Sequence, residues 1–340
     1  MTGVQCAHSG DKTNGAVFSA LLQTKGIEFF FTVENLHIQV QKGAKILQIQ
    51  LISIIFVLLQ LCFSDKQKKA FMNGKKVLFV SSELVPYLPE NPVSLMSYEA
   101  PRMVNSNGGQ IRIFMPRYGN INERRHQLHE VIRLSGMNLV INDMDMPLII
   151  KVASIPKERI QVYFIDNDEY FKRKATFADA DGNLFPDNDE RAIFFAKGVV
   201  ETVKKLNWSP DIIHVHGWMA SMVPLYLRKY YADEPLFADS RIVTSVYGKD
   251  FEGELDAEMI NKIAFDGIDK EEVSVLAKPE YNNLLKVAVD HSDAVILAAE
   301  DLSEDLKNHI DNLSVPVLPY VPLQEAEEAY TNFYNTEVLK

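Results

Sequence analysis

The chain has 340 residues, a formal net charge of −11, and apolar and charged fractions of 47% and 24%, which are those of a globular protein with one large or two ordinary domains. No basic block accompanies the acidic balance, so nucleic acid is excluded as an expected partner. Cys6 and Cys62 are the only cysteines; a disulfide framework and a cysteine-ligated metal centre are therefore ruled out after residue 62, and the usage fits a reducing, cytoplasmic setting.

The first 71 residues differ from the rest. They hold seven lysines and four acidic residues, a net of +3 that leaves −14 for the remainder. They show no sustained helix or strand period. An apolar run covers residues 46–64, but Gln48, Gln50, Ser53 and Gln60 interrupt it and lysines flank both ends. Polar groups in hydrocarbon are costly and the flanking charge gives no orientation, so a membrane partner is not expected. Three readings are open: a marginal anchor, a disordered or partner-binding arm, or an upstream extension of a gene whose start is Met72. The last is favoured, because Met72 stands immediately before the first clean strand pattern.

From Met72 the elements alternate. Residues 76–82 form a basic start, a β-branched run and small polar residues, a central-strand pattern. Residues 83–92 contain Pro86, Pro89 and Pro92 and no glycine, so they predict neither helix nor a phosphate-cradling loop. A helix is expected over 94–106, ended at Asn107-Gly108-Gly109, and a strand over 110–115. The cationic loop 117–125 offers arginines to an anion or simply to solvent. Residues 129–151 have a hairpin pattern, and 159–166 a strand. Asp166, Asp168 and Glu169 then form an acidic cluster that a metal could use but that Lys172, Arg173 and Lys174 more simply neutralise; no metal ligand is assigned.

Asp187 or Asn188 is suited to cap a helix over 189–206, with Ala192, Phe195, Val199, Thr202, Val203 and Leu206 on its core face. A buried strand opens at Asp211 and stops at His216-Gly217-Trp218, where ligands of open parallel sheets bind. Helix follows to Tyr231, strand over 241–246, acidic helical material over 255–290, strand over 294–298, helix over 302–310, and an extended run over 315–321. The domain is expected to span 72–325, with 326–340 an acidic tail. The alternation predicts α/β architecture, a single doubly wound, mostly parallel Rossmann-like sheet.

The order of segments resembles the N-terminal half of bacterial glycogen synthases and plant starch synthases, over about residues 75–300. Residues 76–83 with Pro86 resemble V-L-x-V-x-S-E-x-x-P. Asp187-Asn188 with Arg191 resembles D-N-x-x-R-F. Residues 210–218 resemble P-D-V-V-H-A-H-D-W, and Leu285-Lys286-Val287-Ala288 with Asp293-Ala294 resembles L-K-A-G…A-D. The resemblance implies one domain of a GT-B glycosyltransferase, whose site lies in the cleft between two such domains; the family transfers glucose from ADP-glucose to an α-1,4-glucan. It carries substrate-binding candidates onto Asp187, Asn188, Arg191, His216, Trp218 and Tyr247. ADP-glucose would be the donor if the chain is active; no other cofactor is implied.

The departures bear on activity. Residues 88–95 replace the family's K-x-G-G-L, so its lysine and glycines are absent. Gly217 stands at the Asp of H-D-W, and Tyr247 at the His of T-V-H-N. No counterpart of the family's C-terminal domain, with its phosphate-contacting Arg/Lys pair and glutamate, follows. No catalytic residue is therefore assigned. Removing one electrostatic stabiliser costs about 10²–10³ in rate, and several are gone together. The expected role is a non-catalytic module that binds a sugar, a sugar nucleotide or a glucan, or docks a protein partner across an open cleft whose exposed wall should carry an apolar patch. The alternative is an active transferase completed by a separate C-terminal-domain chain.

Overall fold

The structure is a computed structural model of the chain. It describes residues 72–340 except 156, 157 and 159, and, before residue 72, three short strands. Two compact units result, Met1–Phe63 and Ser64–Lys340. In the first, β1 (Gln5–Ala7), β2 (Ser19–Thr24) and β3 (Ile27–Phe29) form an antiparallel sheet in that order, where no sustained period was expected. The apolar run 46–64 lies outside the described residues. Among the described residues, no helix is long and apolar enough to cross a membrane.

The second unit is built on a ten-stranded sheet. Its chain order is β4 (Lys76–Ser81), α1 (Pro92–Ser106), β5 (Gln110–Pro116), α2 (Glu123–His126), β6 (His129–Glu130), β7 (Met137–Ile141), β8 (Met144–Ser154), β9 (Gln161–Asp166) and α3 (Asp168–Phe171). Then come α4 (Asn188–Lys205), β10 (Ile212–His216), α5 (Met222–Arg228), β11 (Arg241–Val246), α6 (Met259–Phe265), α7 (Tyr281–Asp290), β12 (Ala294–Leu297), α8 (Glu304–Asp311), β13 (Val317–Leu318) and α9 (Leu323–Phe333). Across the sheet the strands run β13-β12-β11-β10-β4-β5-β9-β8-β6, with β7 paired to β8. Pairings from β13 to β9 are parallel; β8 runs antiparallel to β9 and carries the expected hairpin. The order reverses between β4 and β10, which makes their carboxyl ends the topological switch point where open sheets take ligands.

The central strands are buried on both faces: every residue of β10, and all of β4 after Lys76. That is why they appear in the sequence as unbroken apolar runs. Acidic residues stitch the strand starts together. Asp211 accepts from Lys76 N at 2.8 Å, and Asp293 from Ile242 N at 2.7 Å. Gly198 lets α4 lie close on the sheet, since a Cβ there would come 2.9 Å from Ile165 Cγ2.

Two boundaries differ from the sequence reading. Pro92, counted with the helix-forbidding prolines, is the first residue of α1; proline lacks only an N–H that the first turn cannot use. Asn91 caps that helix in a reciprocal box with Ser94. The segment read as an acidic tail is α9, continued by a π turn over Tyr334–Val338. Ala326, Tyr330, Phe333, Tyr334 and Val338 are buried in the common core, so the domain extends through residue 338.

Candidate functional site

The switch point is lined by the residues that follow β4, β10 and β11. Ser82 N donates to His216 O at 2.8 Å, and Ser82 Oγ accepts from Met219 N at 2.9 Å. The chain must turn sharply between those bonds. Gly217 does so at φ +78°, with a hypothetical Cβ 2.6 Å from Ser82 Oγ. The glycine at the family's Asp place is thus required by the close approach of two strand ends here, and is more than the loss of a carboxylate.

His216 and Tyr247 are buried together, with Tyr247 Oη 2.7 Å from His216 Nδ1. Beside them, His214 Nε2 lies 2.8 Å from Ser245 Oγ and His214 Nδ1 lies 2.7 Å from Tyr334 Oη of the C-terminal segment. The two imidazole rings are 4.0 Å apart, with Phe79 packed on both. Burial holds His216 neutral and pushes its pKa down to about 3; burial and then His216 itself hold His214 well below the ordinary range. Burial likewise keeps Tyr247 protonated. The Tyr247 hydroxyl is committed inward, and His216 Nε2 is buried with no partner.

Trp218 is buried edge-on to Phe177 and Phe251 and hydrogen-bonds Asp250. The Asp250 carboxyl is raised by desolvation. Glu83 is raised chiefly by burial and further by Asp250, against a hydrogen bond from Asn91. These ends therefore present carboxylates. Lys249, the lysine of the loop after β11, pairs with Glu252.

Asp187, Asn188 and Arg191 sit at the start of α4 and adjoin Trp218 through Phe177, which accepts from Asn188 and packs edge-on to the tryptophan. Asp187 occupies the cap position without a side-chain cap bond; its carboxylate instead takes Arg173 Nη1 at 2.8 Å. Asn188 donates to Phe177 O at 2.8 Å and accepts from Arg191 Nη1 at 2.6 Å, while Arg191 Nη2 donates to Thr176 O at 2.7 Å. Arg191 is fully buried among Tyr118, Phe171 and Phe185, and burial lowers its pKa to about 10. These three residues clamp the preceding loop onto the helix.

The acidic cluster after β9 is internally neutralised by other cations than those expected. Asp166 meets Arg117 at 3.0 Å and Lys151 at 3.1 Å, and Arg173 has gone to Asp187. Only Lys172 stays with Asp168, at 3.7 Å. Arg117, offered by the sequence to an anion, is therefore an internal partner. Among the described residues no group of three acidic, histidine or cysteine side chains is placed to hold a metal ion.

Sequence reasoning missed Ser82, Asp250 and the C-terminal tyrosines. A signal existed for the last: Ala326, Tyr330, Phe333 and Tyr334 recur at helical spacing within an acidic composition. Of the exposed large apolar side chains, Tyr320 and Leu323 stand at this edge, whereas Val140 and Met144 lie on the hairpin and Phe265 ends α6.

Residues 76–313 match the family described as starch synthase catalytic domain. The glycogen synthase of Chlorobium phaeobacteroides is 35% identical over 234 residues, covering 68% of this chain and 47% of that protein. That of Chlorobium luteolum is 34% identical over 253 residues, covering 74% and 49%. The chain spans about half the length of these relatives. The catalytic domain of starch synthase IV from Arabidopsis thaliana, bound to ADP and acarbose, superposes with a TM-score of 0.59 at 16% identity, over 73% of this chain and 52% of that one; this likeness shows the fold.

Proposed function

The chain belongs to the starch synthase catalytic domain family, and from that premise we propose that it is a sugar- or glucan-binding or partner-docking relative that does not transfer glucose by itself. One observation carries the reading: Tyr247, at the place of the family's cleft imidazole, turns its hydroxyl 2.7 Å from a buried His216. A group so committed cannot exchange protons with a ligand near neutral pH. The neighbouring ends contribute the carboxyl groups of Glu83, whose pKa is raised chiefly by burial, and of Asp250. A departing diphosphate needs cations or free backbone N–H groups. The loop after β4 supplies neither lysine nor glycine.

What remains suits a neutral ligand. The Arabidopsis structure holds ADP and acarbose; of these two kinds of ligand, the uncharged cluster described above suits the sugar. A cytoplasmic location rests on the cysteine usage. The test is radiolabelled transfer from ADP-glucose to glycogen by the full chain, alone and with host lysate, beside affinity electrophoresis in glycogen. The reading expects retardation without incorporation. Incorporation only with lysate would favour completion by a second chain.

A further inference from the structure

An apolar pocket of about 360 Å³ opens where α1 meets the C-terminal segment. Leu95 and Met96 of α1 form one wall, and Tyr320, Val321 and Leu323 form the other. Tyr247 and Tyr330 are buried and only close its depth, and the Tyr247 hydroxyl is committed to His216. Tyr320 and Leu323, in contrast, are exposed. They are two of the few large apolar side chains that the described residues leave in solvent, and they share one opening. A concave apolar site with an exposed aromatic at its edge is the form in which protein interfaces receive an anchoring side chain.

The charge around the opening identifies the kind of partner. Glu90 lines the pocket, which has no lysine, arginine or histidine in its lining. Glu300 and Asp301 follow closely on Ala298, another lining residue. Asp301 Oδ1 would lie 3.2 Å from a Cβ on Gly248, which places that carboxylate at the end of β11 beside Tyr247. Glu325 stands in the first turn of α9, two residues after Leu323. All four carboxylates are exposed, and among the described residues none of them meets a lysine or arginine. Lys249 and Glu252, paired in the loop after β11, cancel each other. The rim therefore carries one sign of charge around an apolar centre, and a partner of the opposite sign is steered to it and oriented.

We propose that this pocket docks a basic protein segment, one large apolar side chain entering between α1 and the C-terminal segment while flanking lysines or arginines face Glu90, Glu300, Asp301 and Glu325. The proposal rests on the partner-docking part of the reading above and adds the place and the chemistry of the partner. Its test is fluorescence anisotropy of a rhodamine-labelled peptide, Lys-Lys-Leu-Trp-Lys-Lys, titrated with the full chain, beside a Lys-Lys-Gly-Ser-Lys-Lys control. Tyr320→Ala removes the exposed ring, and Glu300→Lys with Asp301→Lys reverses the rim. Glu130→Lys with Asp233→Lys makes the same change of net charge at exposed positions outside the pocket. Thermal melts check that all three fold. The expected result is that the Leu-Trp peptide binds about tenfold or more tighter than its control. Each pocket variant should weaken it about tenfold or more, and the distant reversal less than about threefold. Equal binding of the two peptides, or equal loss in the distant reversal, would mean general attraction to an acidic chain and overturn the proposal. Binding unchanged in either pocket variant overturns it as well, as does no binding by the parent chain. Displacement of the peptide by maltotetraose would make this a sugar site and overturn the assignment. Glucan binding is read separately, by retardation in glycogen, and survives failure of the peptide to bind.

Discussion

Two buried polar clusters flank the sheet, and they are built on opposite principles. Beneath the C-terminal segment, His214, His216, Ser245, Tyr247 and Tyr334 are neutral and joined by hydrogen bonds. At the start of α4, Lys262 meets Asp189 at 2.7 Å, Glu190 at 2.9 Å and Asp256 at 3.0 Å, with Asp189 fully buried. The first cluster occupies the place where the family keeps a working imidazole. The second ties α4 to α6 and touches no pocket lining. The second cluster holds two helices together by charge, whereas the first is joined by neutral groups.

Breaking the ionic cluster should have the largest effect. Lys262→Met leaves carboxylates without their cation, and loss of one partner of a buried pair costs about 3–5 kcal/mol. Urea titration should show it. The loss should shrink between pH 7 and pH 5, because burial has already raised the Asp189 pKa to about 6 and protonation removes the orphaned charge.

Gly217→Ala comes next. It forces a side chain into φ +78° and against Ser82, a backbone strain of about 1–3 kcal/mol. Gly217→Asp, which writes the family residue back, should melt lower still and restore no transfer. If it folds at parental stability, the close approach described for Gly217 is wrong. In the neutral cluster, Tyr247→Phe strands His216 Nδ1 without a partner, at about 1–3 kcal/mol.

Acid should separate the two clusters. His216 has a folded pKa near 3, below its unfolded value of about 6.5. The unfolded chain therefore binds the extra proton, and this contribution is complete above pH 6.5 and lost as pH falls toward 3. His214 acts in the same direction. Asp189 acts in the other: its raised pKa favours the folded state as pH falls through 6 toward 4. Replacing His214 and His216 together by glutamine should flatten the stability profile between pH 6.5 and 4, as measured by melts across that window. The smallest effect belongs to Asp168→Ala: the exposed carboxylate lies 3.7 Å from Lys172 and 3.8 Å from Arg117, and its loss should change stability by about 1 kcal/mol or less. Its melt should be equally insensitive to magnesium or calcium.

How far the sequence reached follows the same division. Strands buried on both faces announced themselves, and β11 falls on residues 241–246 as expected. Helix α4 starts one residue early, at Asn188 rather than Asp189. The motif order identified the fold because it records which strands lie side by side. Side-chain direction was not legible. Nothing in Ser245-Val246-Tyr247 says that the tyrosine turns toward β10, since its partner His216 lies 31 residues away on that strand and Tyr334, which closes over the neighbouring His214, lies 120 residues from it. Composition misled at the end of the chain, where acidic residues on the outer face of α9 concealed an inner stripe of tyrosine and phenylalanine.

The central claim is that this wall of the cleft lacks the charges that drive glucosyl exchange. Incubating the purified full-length chain with radiolabelled ADP-glucose and glycogen tests it most directly. The predicted result is glycogen-associated counts at the level of the protein-free blank; steady incorporation proportional to protein concentration would contradict it.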